Sequence, residues 1–312
     1  MNIKDKVFVS GHNGLVGSAL VRKLNYAGYK DILTVDRSTL DLEDQKGVFG
    51  FFEKHLPDVV FVAAAKVGGI HANNTYPAEF IYSNLMVSTN LIHASYTFGV
   101  KKLLFLGSSC IYPRDCSQPI KEEYLLTGQI EKTNEPYAIA KIASITMCDS
   151  YNRQYSTNFI SVMPTNLYGP NDNYDLNNSH VLPALIRRMH EAKINNQGYV
   201  TAWGTGSPYR EFLHVDDLAD ACVFLMENYN ASDIGKIINI GSGSDITIKE
   251  LTEMVADVVG FTGEIVWDKS KPDGTSRKLM DSSKIRSFGW SPKIDIRNGI
   301  HDTYKSFLNG CS

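Results

Sequence analysis

The junction near the start of this chain constrains its fold more than any other feature. Val7-Phe8-Val9-Ser10 is a short apolar run, Gly11-His12-Asn13-Gly14-Leu15-Val16-Gly17 is a glycine-rich turn, and Val16, Leu20 and Leu24 then recur at helical spacing. A buried strand that turns on glycines directly into an amphipathic helix opens a βαβ unit. Glycines at such a turn let the backbone approach a pyrophosphate, while the helix N-terminus offers free N–H groups and the positive end of its dipole. The spacing is Gly-x-x-Gly-x-x-Gly rather than the commoner Gly-x-Gly-x-x-Gly, and an ordinary tight turn also uses glycine. The strand before it and the helix after it favour a dinucleotide site.

The pattern continues through the first half. Residues 31–36, 59–65, 102–107 and 159–163 read as further strands. Their apolar residues run continuously, as in strands buried on both faces of a parallel sheet. The expected fold is α/β, a doubly wound parallel Rossmann sheet, with a smaller mixed α/β substrate domain interleaved at the C-terminal side. The second half holds a polar loop at 171–178, a turn-rich stretch at 204–208, a buried strand at 236–240 and an amphipathic helix at 247–259. The expected division is a dinucleotide-binding Rossmann domain from residues 1–167 with 211–242, and a substrate domain from 168–210 with 243–312. A chain of 312 residues is long enough for two joined units.

Composition excludes several classes. The 31 Lys+Arg against 34 Asp+Glu leave a net charge of −3, so no global positive field attracts nucleic acid or an anionic membrane. An anionic ligand must be held by a few local arginines. The longest apolar stretches are too short to span a bilayer. The opening Met1-Asn2-Ile3-Lys4-Asp5-Lys6 fits neither a signal nor a transit peptide. Cys110, Cys116, Cys148, Cys222 and Cys311 form no Cys-x-x-Cys pair, which reads as reduced thiols and a cytoplasmic location. The histidines show no metal-ligand spacing, so no metal is expected.

Two further clusters carry chemistry. Asp36 closes the second strand about 20 residues beyond the glycines, where an acid suits the ribose 2′-hydroxyl of NAD and an arginine suits the 2′-phosphate of NADP. Arg37 follows at once, and both side chains cannot face a phosphate. A solvated strand-end aspartate remains the alternative. Farther on, Tyr137-Ala138-Ile139-Ala140-Lys141 follows Pro136, which suits a helix start, and puts a phenol and an ammonium on one helix face. A lysine cation beside tyrosine favours the phenolate over the reference pKa of ~10, making the phenol a usable proton donor and acceptor. Most Tyr-x-x-x-Lys pairs are solvated helix residues. Here Gly107-Ser108-Ser109-Cys110 ends a strand upstream, and such a strand end faces the ligand crevice of a doubly wound sheet.

Together these motifs resemble the extended short-chain dehydrogenase/reductases. The stretch from Trp203-Gly204-Thr205-Gly206 through Arg210-Glu211-Phe212-Leu213-His214 to Asp217 resembles their nucleotide-sugar branch. Longer stretches resemble the GDP-L-fucose synthase family over nearly the whole chain. They are Ala63-Ala64-Ala65-Lys66-Val67-Gly68-Gly69-Ile70, Gly107 to Pro113, Asn134 to Lys141, Met163 to Pro170, Asn178-Ser179-His180-Val181 and Lys271-Pro272-Asp273-Gly274-Thr275.

The resemblance implies an enzyme that inverts GDP-4-keto-6-deoxy-D-mannose at carbons 3 and 5 and then reduces the 4-ketone with NADPH. It implies Ser108, Tyr137 and Lys141 as the reductive cluster and Cys110 and His180 as the epimerisation acid/base pair. Arg188, Trp203, Arg210 and Asp273 fall at substrate positions. The cofactor positions are Gly11, His12, Asn13, Gly14, Leu15, Val16, Gly17, Asp36, Arg37, Leu106, Gly107, Ser108, Ser109, Tyr137, Lys141, Pro164, Thr165, Asn166, Leu167 and His180. The family analogy also implies a homodimer, through the helices after Pro77 and Pro136.

The physical reading of those residues agrees. Inversion beside a ketone needs groups on opposite faces of the ring, and Cys (reference pKa ~8.5) and His (~6.5) titrate closer to neutral than carboxylates. Tyr137 and Ser108 would donate to the enolate oxygen. Taken alone, Cys110 reads as a small core residue, His180 as a loop histidine and Arg187 as a solvated charge. Two rival readings use the same motifs. One is a 4-keto reductase of a related GDP-sugar, such as a 6-deoxy-heptose, without epimerisation. The other is a silent dinucleotide-sensing protein, against which the intact Ser108, Tyr137 and Lys141 argue.

Overall fold

The computed structural model describes residues 1–176, 179–271 and 273–310, so Asn178, Pro272 and Cys311 lie outside the described residues. The strands are β1 (Val7–Ser10), β2 (Ile32–Leu33), β3 (Val59–Val62), β4 (Lys102–Leu106), β5 (Phe159–Pro164), β6 (Asn166–Tyr168), β7 (Tyr199–Trp203), β8 (Tyr209–His214), β9 (Ile238–Ile240), β10 (Asp245–Thr247), β11 (Glu264–Asp268) and β12 (Arg277–Lys278). The helices of the first half are α1 (Leu15–Tyr26), α2 (Gln45–His55), α3 (Ile70–Thr75), α4 (Pro77–Thr97) and α5 (Glu135–Tyr155). Those of the second are α6 (Val181–Ile194), α7 (Val215–Asn228), α8 (Ala231–Ile234), α9 (Ile248–Val259), α10 (Ser283–Ser287) and α11 (Ile296–Gly310).

A parallel six-stranded sheet runs β2-β1-β3-β4-β5-β9. Its two faces are both buried, and successive residues of β1 divide between them. Val7 and Val9 pack with Leu20, Leu24, Leu218 and Met226 on the α1–α7 side. Phe8 packs with Phe52, Leu91 and Ile145 on the side of α2, α4 and α5. Covering both faces explains why these strands are unbroken apolar runs. A smaller sheet runs β10-β8-β12, with β6 also paired to β8, and β11 pairs with β7. A third core joins Tyr168, Leu185, Met189, Leu251, Val255 and Ile300, from β6, α6, α9 and α11.

Several elements differ from the sequence reading in extent. The second strand is not 31–36 but two residues, Ile32 and Leu33, paired to Val7 and Phe8. As an edge strand it has one neighbour, and past Leu33 the chain leaves the ladder to bring Asp36 to the glycine turn, where its Oδ1 accepts Asn13 Nδ2 at 2.7 Å. The third strand stops at Val62 because the Ala64 N–H turns to Ser10 Oγ at 3.3 Å. Helix α6 begins at Val181, two residues before Pro183. The proline sits in its first turn, where a missing N–H costs nothing. Helix α9 begins at Ile248 because Thr247 caps it: Thr247 Oγ1 accepts Glu250 N–H at 3.0 Å, and Glu250 Oε2 accepts Thr247 N–H at 2.8 Å.

Candidate active site

The strand order reverses between β1 and β3, the switch point where doubly wound sheets bind ligands. The glycine turn occupies that point. Gly11 has φ +72°, and a Cβ there would lie 2.8 Å from the Ala64 backbone. A Cβ on Gly17 would lie 2.0 Å from Gly11 O, so α1 presses against the turn. Gly14 starts α1 with no side-chain cap, leaving the first N–H groups free of one, and Gly11 O is the nearest neighbour of a Cβ there, at 3.5 Å. This bare cradle fits a dinucleotide pyrophosphate.

Asp36 faces the turn, with His12 Nε2 at 3.6 Å from Oδ1 besides the Asn13 bond. Arg37 turns the other way, exposed, with Glu43 at 3.3 Å and Asp41 at 3.6 Å. Leu106, Ser109 and Thr165 are buried. Thr165 Oγ1 and Asn166 Nδ2 both donate to Glu211 O, at 3.3 and 2.8 Å, which fastens the end of β5 to β8.

At the end of β4, Ser108 Oγ accepts the Cys110 N–H at 3.3 Å and is also a hydrogen-bond partner of the Tyr137 phenol. Lys141 is buried, donates to Leu106 O at 2.7 Å, and lies 4.8 Å from the Phe105 ring and 5.8 Å from the Tyr137 ring. Burial lowers the Lys141 pKa to about 8. Burial, and then the Cys110 charge, push the Tyr137 phenol above its ordinary range, against the bond to Ser108. The expectation that Lys141 draws Tyr137 toward phenolate is therefore corrected. In this enclosed site desolvation dominates, and the phenol keeps its proton and is set up as a donor.

An open cleft of about 260 Å³ is lined by Asn166, Leu167, His180, Trp203, Arg210 and Asp273; Ser108, Cys110 and Tyr137 are not among its lining residues. His180 precedes α6 and faces the cleft. Surrounding protein lowers its imidazole pKa by desolvation. Its side chain is nevertheless exposed to the cleft. The half-exposed Trp203 ring is flanked by Arg188 and Lys271, each at 5.4 Å. Burial lowers the pKa of Arg210, and Asp273 opposes that shift. Asp273 accepts Thr205 N–H at 2.7 Å and Thr205 Oγ1 at 2.8 Å, so it fastens the Gly204–Gly206 turn as well as lining the cleft. Arg187, expected as a solvated charge, instead donates to Glu191 Oε1 at 2.7 Å and Tyr174 O at 3.1 Å.

The sequence reading missed two residues. Lys278 pairs with Arg210 in the β12–β8 register, and its Nζ reaches Cys110 Sγ at 3.9 Å, linking the cleft to the Ser108–Tyr137 cluster. Its one sequence signal is its closeness to the Asp273-Gly274-Thr275 stretch. Glu211 is fully buried and accepts from Gly243 N–H at 2.6 Å and Met280 N–H at 2.9 Å. Within the Arg210-Glu211 pair, no local motif marks Glu211 as an acceptor for backbone donors 32 and 69 residues away.

Where a hydroxyl, a phenol and an ammonium converge past the fourth strand of such a sheet, the class is that of dinucleotide-dependent reductases and epimerases. The chain belongs to the NAD dependent epimerase/dehydratase family, whose profile matches residues 7–241. It is 59% identical over 308 residues to GDP-L-fucose synthase 1 of Arabidopsis thaliana, covering 98% of this chain and 94% of that one. A GDP-6-OMe-4-keto-L-xylo-heptose reductase from C. jejuni superposes with a TM-score of 0.94 at 40% identity, covering 99% of both chains. A GDP-L-fucose synthetase from Naegleria fowleri bound to NADP gives 0.92 at 30% identity, covering 100% of this chain and 95% of that one.

Proposed function

We propose that this chain converts GDP-4-keto-6-deoxy-D-mannose to GDP-L-fucose, inverting carbons 3 and 5 before reducing the 4-ketone with NADPH. The observation that carries the reading is the position of Cys110, whose N–H donates to Ser108 Oγ, the hydroxyl that partners the Tyr137 phenol, while His180 lines the cleft alongside Arg210. A simple reductase needs Ser108, Tyr137 and Lys141. The thiol and the imidazole add an acid/base pair drawn from two parts of the fold.

When bound, NADPH supplies hydride to carbon 4. Tyr137 protonates the carbonyl oxygen, Ser108 donates to the same oxygen, and Lys141 holds the cofactor ribose beside them. Arg188 and Arg210 hold the diphosphate, for which planar guanidinium donors are suited, and Trp203 packs on the substrate. Support for the cofactor comes from the NADP-bound Naegleria structure and from the bare turn at Gly11–Gly17.

The same proposal extends to assembly, location and domains. The chain forms a homodimer through α4 and α5, which pack together and expose Tyr82 and Ile139. Its location is the cytoplasm; among the described residues no helix is long and apolar enough to cross a membrane. Residues 1–167 with 211–242 hold the cofactor and 168–210 with 243–312 the sugar nucleotide, with β8 lying across that boundary.

The 4-keto reductase reading is kept as the second, because the C. jejuni heptose reductase superposes over 99% of this chain. The test is incubation with NADPH and GDP-4-keto-6-deoxy-D-mannose, following nicotinamide absorbance and identifying the product by NMR. GDP-L-fucose supports the first reading. A reduced but unepimerised sugar supports the second.

A further inference from the structure

Lys278 is a half-buried lysine without an acidic partner. Among the described residues no carboxylate pairs with it, and the atom its Nζ does reach is Cys110 Sγ, at 3.9 Å. Its backbone is pinned from two sides. Lys278 lies opposite Arg210 in the parallel β12–β8 ladder. Just beyond it, Leu279 N–H donates to Gln118 Oε1 at 2.8 Å, Ile120 N–H to Leu279 O at 2.7 Å, and Met280 N–H to the buried Glu211 carboxylate at 2.9 Å. The strand that presents the ammonium is thus tied both to the Arg210 strand and to the segment that follows Cys110.

The other titratable groups around Cys110 do not replace this cation. From α5, which packs against the turn at Ser109–Ile111, come Tyr137 and Lys141. Tyr137 keeps its proton, and the Lys141 ammonium donates to Leu106 O and lies 4.8 Å from the Phe105 ring, with no hydrogen bond to Cys110 among the described residues. From the following loop come Cys116 and Asp115. Burial pushes the Cys116 thiol up, and Lys278 is the nearby charge that pulls it down.

We infer that Lys278 holds the Cys110 sulfur as a thiolate, making Cys110 the base that removes a proton beside the substrate ketone. The inference rests on the epimerase reading above. In that step a thiolate lone pair takes the proton and becomes S–H. The electron pair of the broken C–H bond forms the enolate double bond, and the charge moves to the former ketone oxygen, where Tyr137 and Ser108 donate. Lys278 does not touch the reacting carbon. It is a positioning residue that acts through Cys110, by the attraction of an ammonium for a thiolate.

The test alkylates folded protein with iodoacetamide at pH 7 and reads Cys110 by peptide mass spectrometry, so the other cysteines do not interfere. In alkylation the sulfur forms an S–C bond and iodide leaves. Lys278→Met should alkylate about tenfold more slowly at Cys110, and Lys278→Arg should stay near wild type. With NADPH and the keto-sugar in heavy water, Lys278→Met should slow deuterium entry at carbons 3 and 5 by about tenfold, with KM changed less than twofold. Unchanged Cys110 alkylation in a Lys278→Met protein of native circular dichroism overturns the inference. So does a raised KM with unchanged exchange, which would make Lys278 a diphosphate contact. If wild type exchanges no deuterium while the alkylation contrast persists, the epimerase reading and the base role of Cys110 fail, and the ion pair alone remains.

Discussion

Glu211 Oε2 accepts the backbone N–H of Met280 at 2.9 Å, so a buried carboxylate on the Arg210 strand fixes the end of the strand that carries Lys278. Its Oε1 accepts Gly243 N–H at 2.6 Å, and burial raises its pKa against those hydrogen bonds. Glu211→Ala removes the acceptor of both donors; the buried Met280 N–H left unsatisfied costs ~1–3 kcal/mol, while the exposed Gly243 can turn to water and adds less. The expected result is a loss at the low end of about 2–5 kcal/mol in denaturant unfolding. Glu211→Gln keeps one carbonyl acceptor and should lose roughly half as much. Equal stability of Glu211→Ala and wild type contradicts the clamp.

On the proposed reading, cofactor choice turns on two adjacent side chains. Asp36 is bonded to Asn13 in the glycine turn, whereas Arg37 is exposed and, among the described residues, held by surface pairs with Asp41 and Glu43. Surface pairs of this kind contribute at most about 1 kcal/mol, so Arg37 can swing to a 2′-phosphate. A charge-assisted contact there is worth ~1.5–3 kcal/mol. Arg37→Ala should weaken NADPH binding at least tenfold and leave NADH nearly unchanged. Asp36→Ala should sharpen the preference for NADPH. Titration by nicotinamide fluorescence checks both. A wild type that turns over NADH as well as NADPH contradicts the assignment.

Tyr137→Phe should remove most reduction while folding and NADPH binding persist, because the proposed role of the phenol is to protonate the carbonyl oxygen. General acid catalysis of this kind contributes about 10²–10⁴ in rate. Single-turnover NADPH oxidation measures the loss. Near-normal reduction by the variant means another group donates the proton.

Burial of Lys141 has a sign that stability measurements can read. Its folded pKa is lowered to about 8 from 10.5. Between those values the unfolded chain binds more protons, so its contribution to stability is favourable above the unfolded value and is lost as pH falls through about 8. Lys141→Met, compared without cofactor because Lys141 is a proposed ribose contact, should therefore be more stable than wild type at pH 7 by about 1–3 kcal/mol. The difference should vanish by about pH 10.5, the unperturbed lysine range. A pH-independent difference contradicts the burial account.

The sequence carried the fold well where local chemistry and packing agree. β1, its glycine turn and α1 are legible because strand, turn and helix signals follow one another without a gap. β4 and β5 are legible because both faces are apolar. The extent of β2 was not, since its end is set by the pull of Asn13 on Asp36 rather than by its own hydrophobicity. Lys141 was legible as part of the site but not in its effect on Tyr137, because desolvation depends on neighbours such as Phe105 that the four-residue spacing does not reveal. Lys278 meets Cys110 across 168 residues of chain, and no local pattern announces a contact of that span.

The most direct measurement is product analysis after turnover of GDP-4-keto-6-deoxy-D-mannose with NADPH in heavy water. The account predicts GDP-L-fucose carrying deuterium at carbons 3 and 5. It further predicts that Cys110→Ser loses that exchange and yields a reduced, unepimerised sugar, while His180→Gln slows epimerisation and still binds NADPH. A wild-type product that is reduced at carbon 4 with no deuterium at either carbon contradicts the account, and would leave Cys110 and His180 as walls of a reductase pocket.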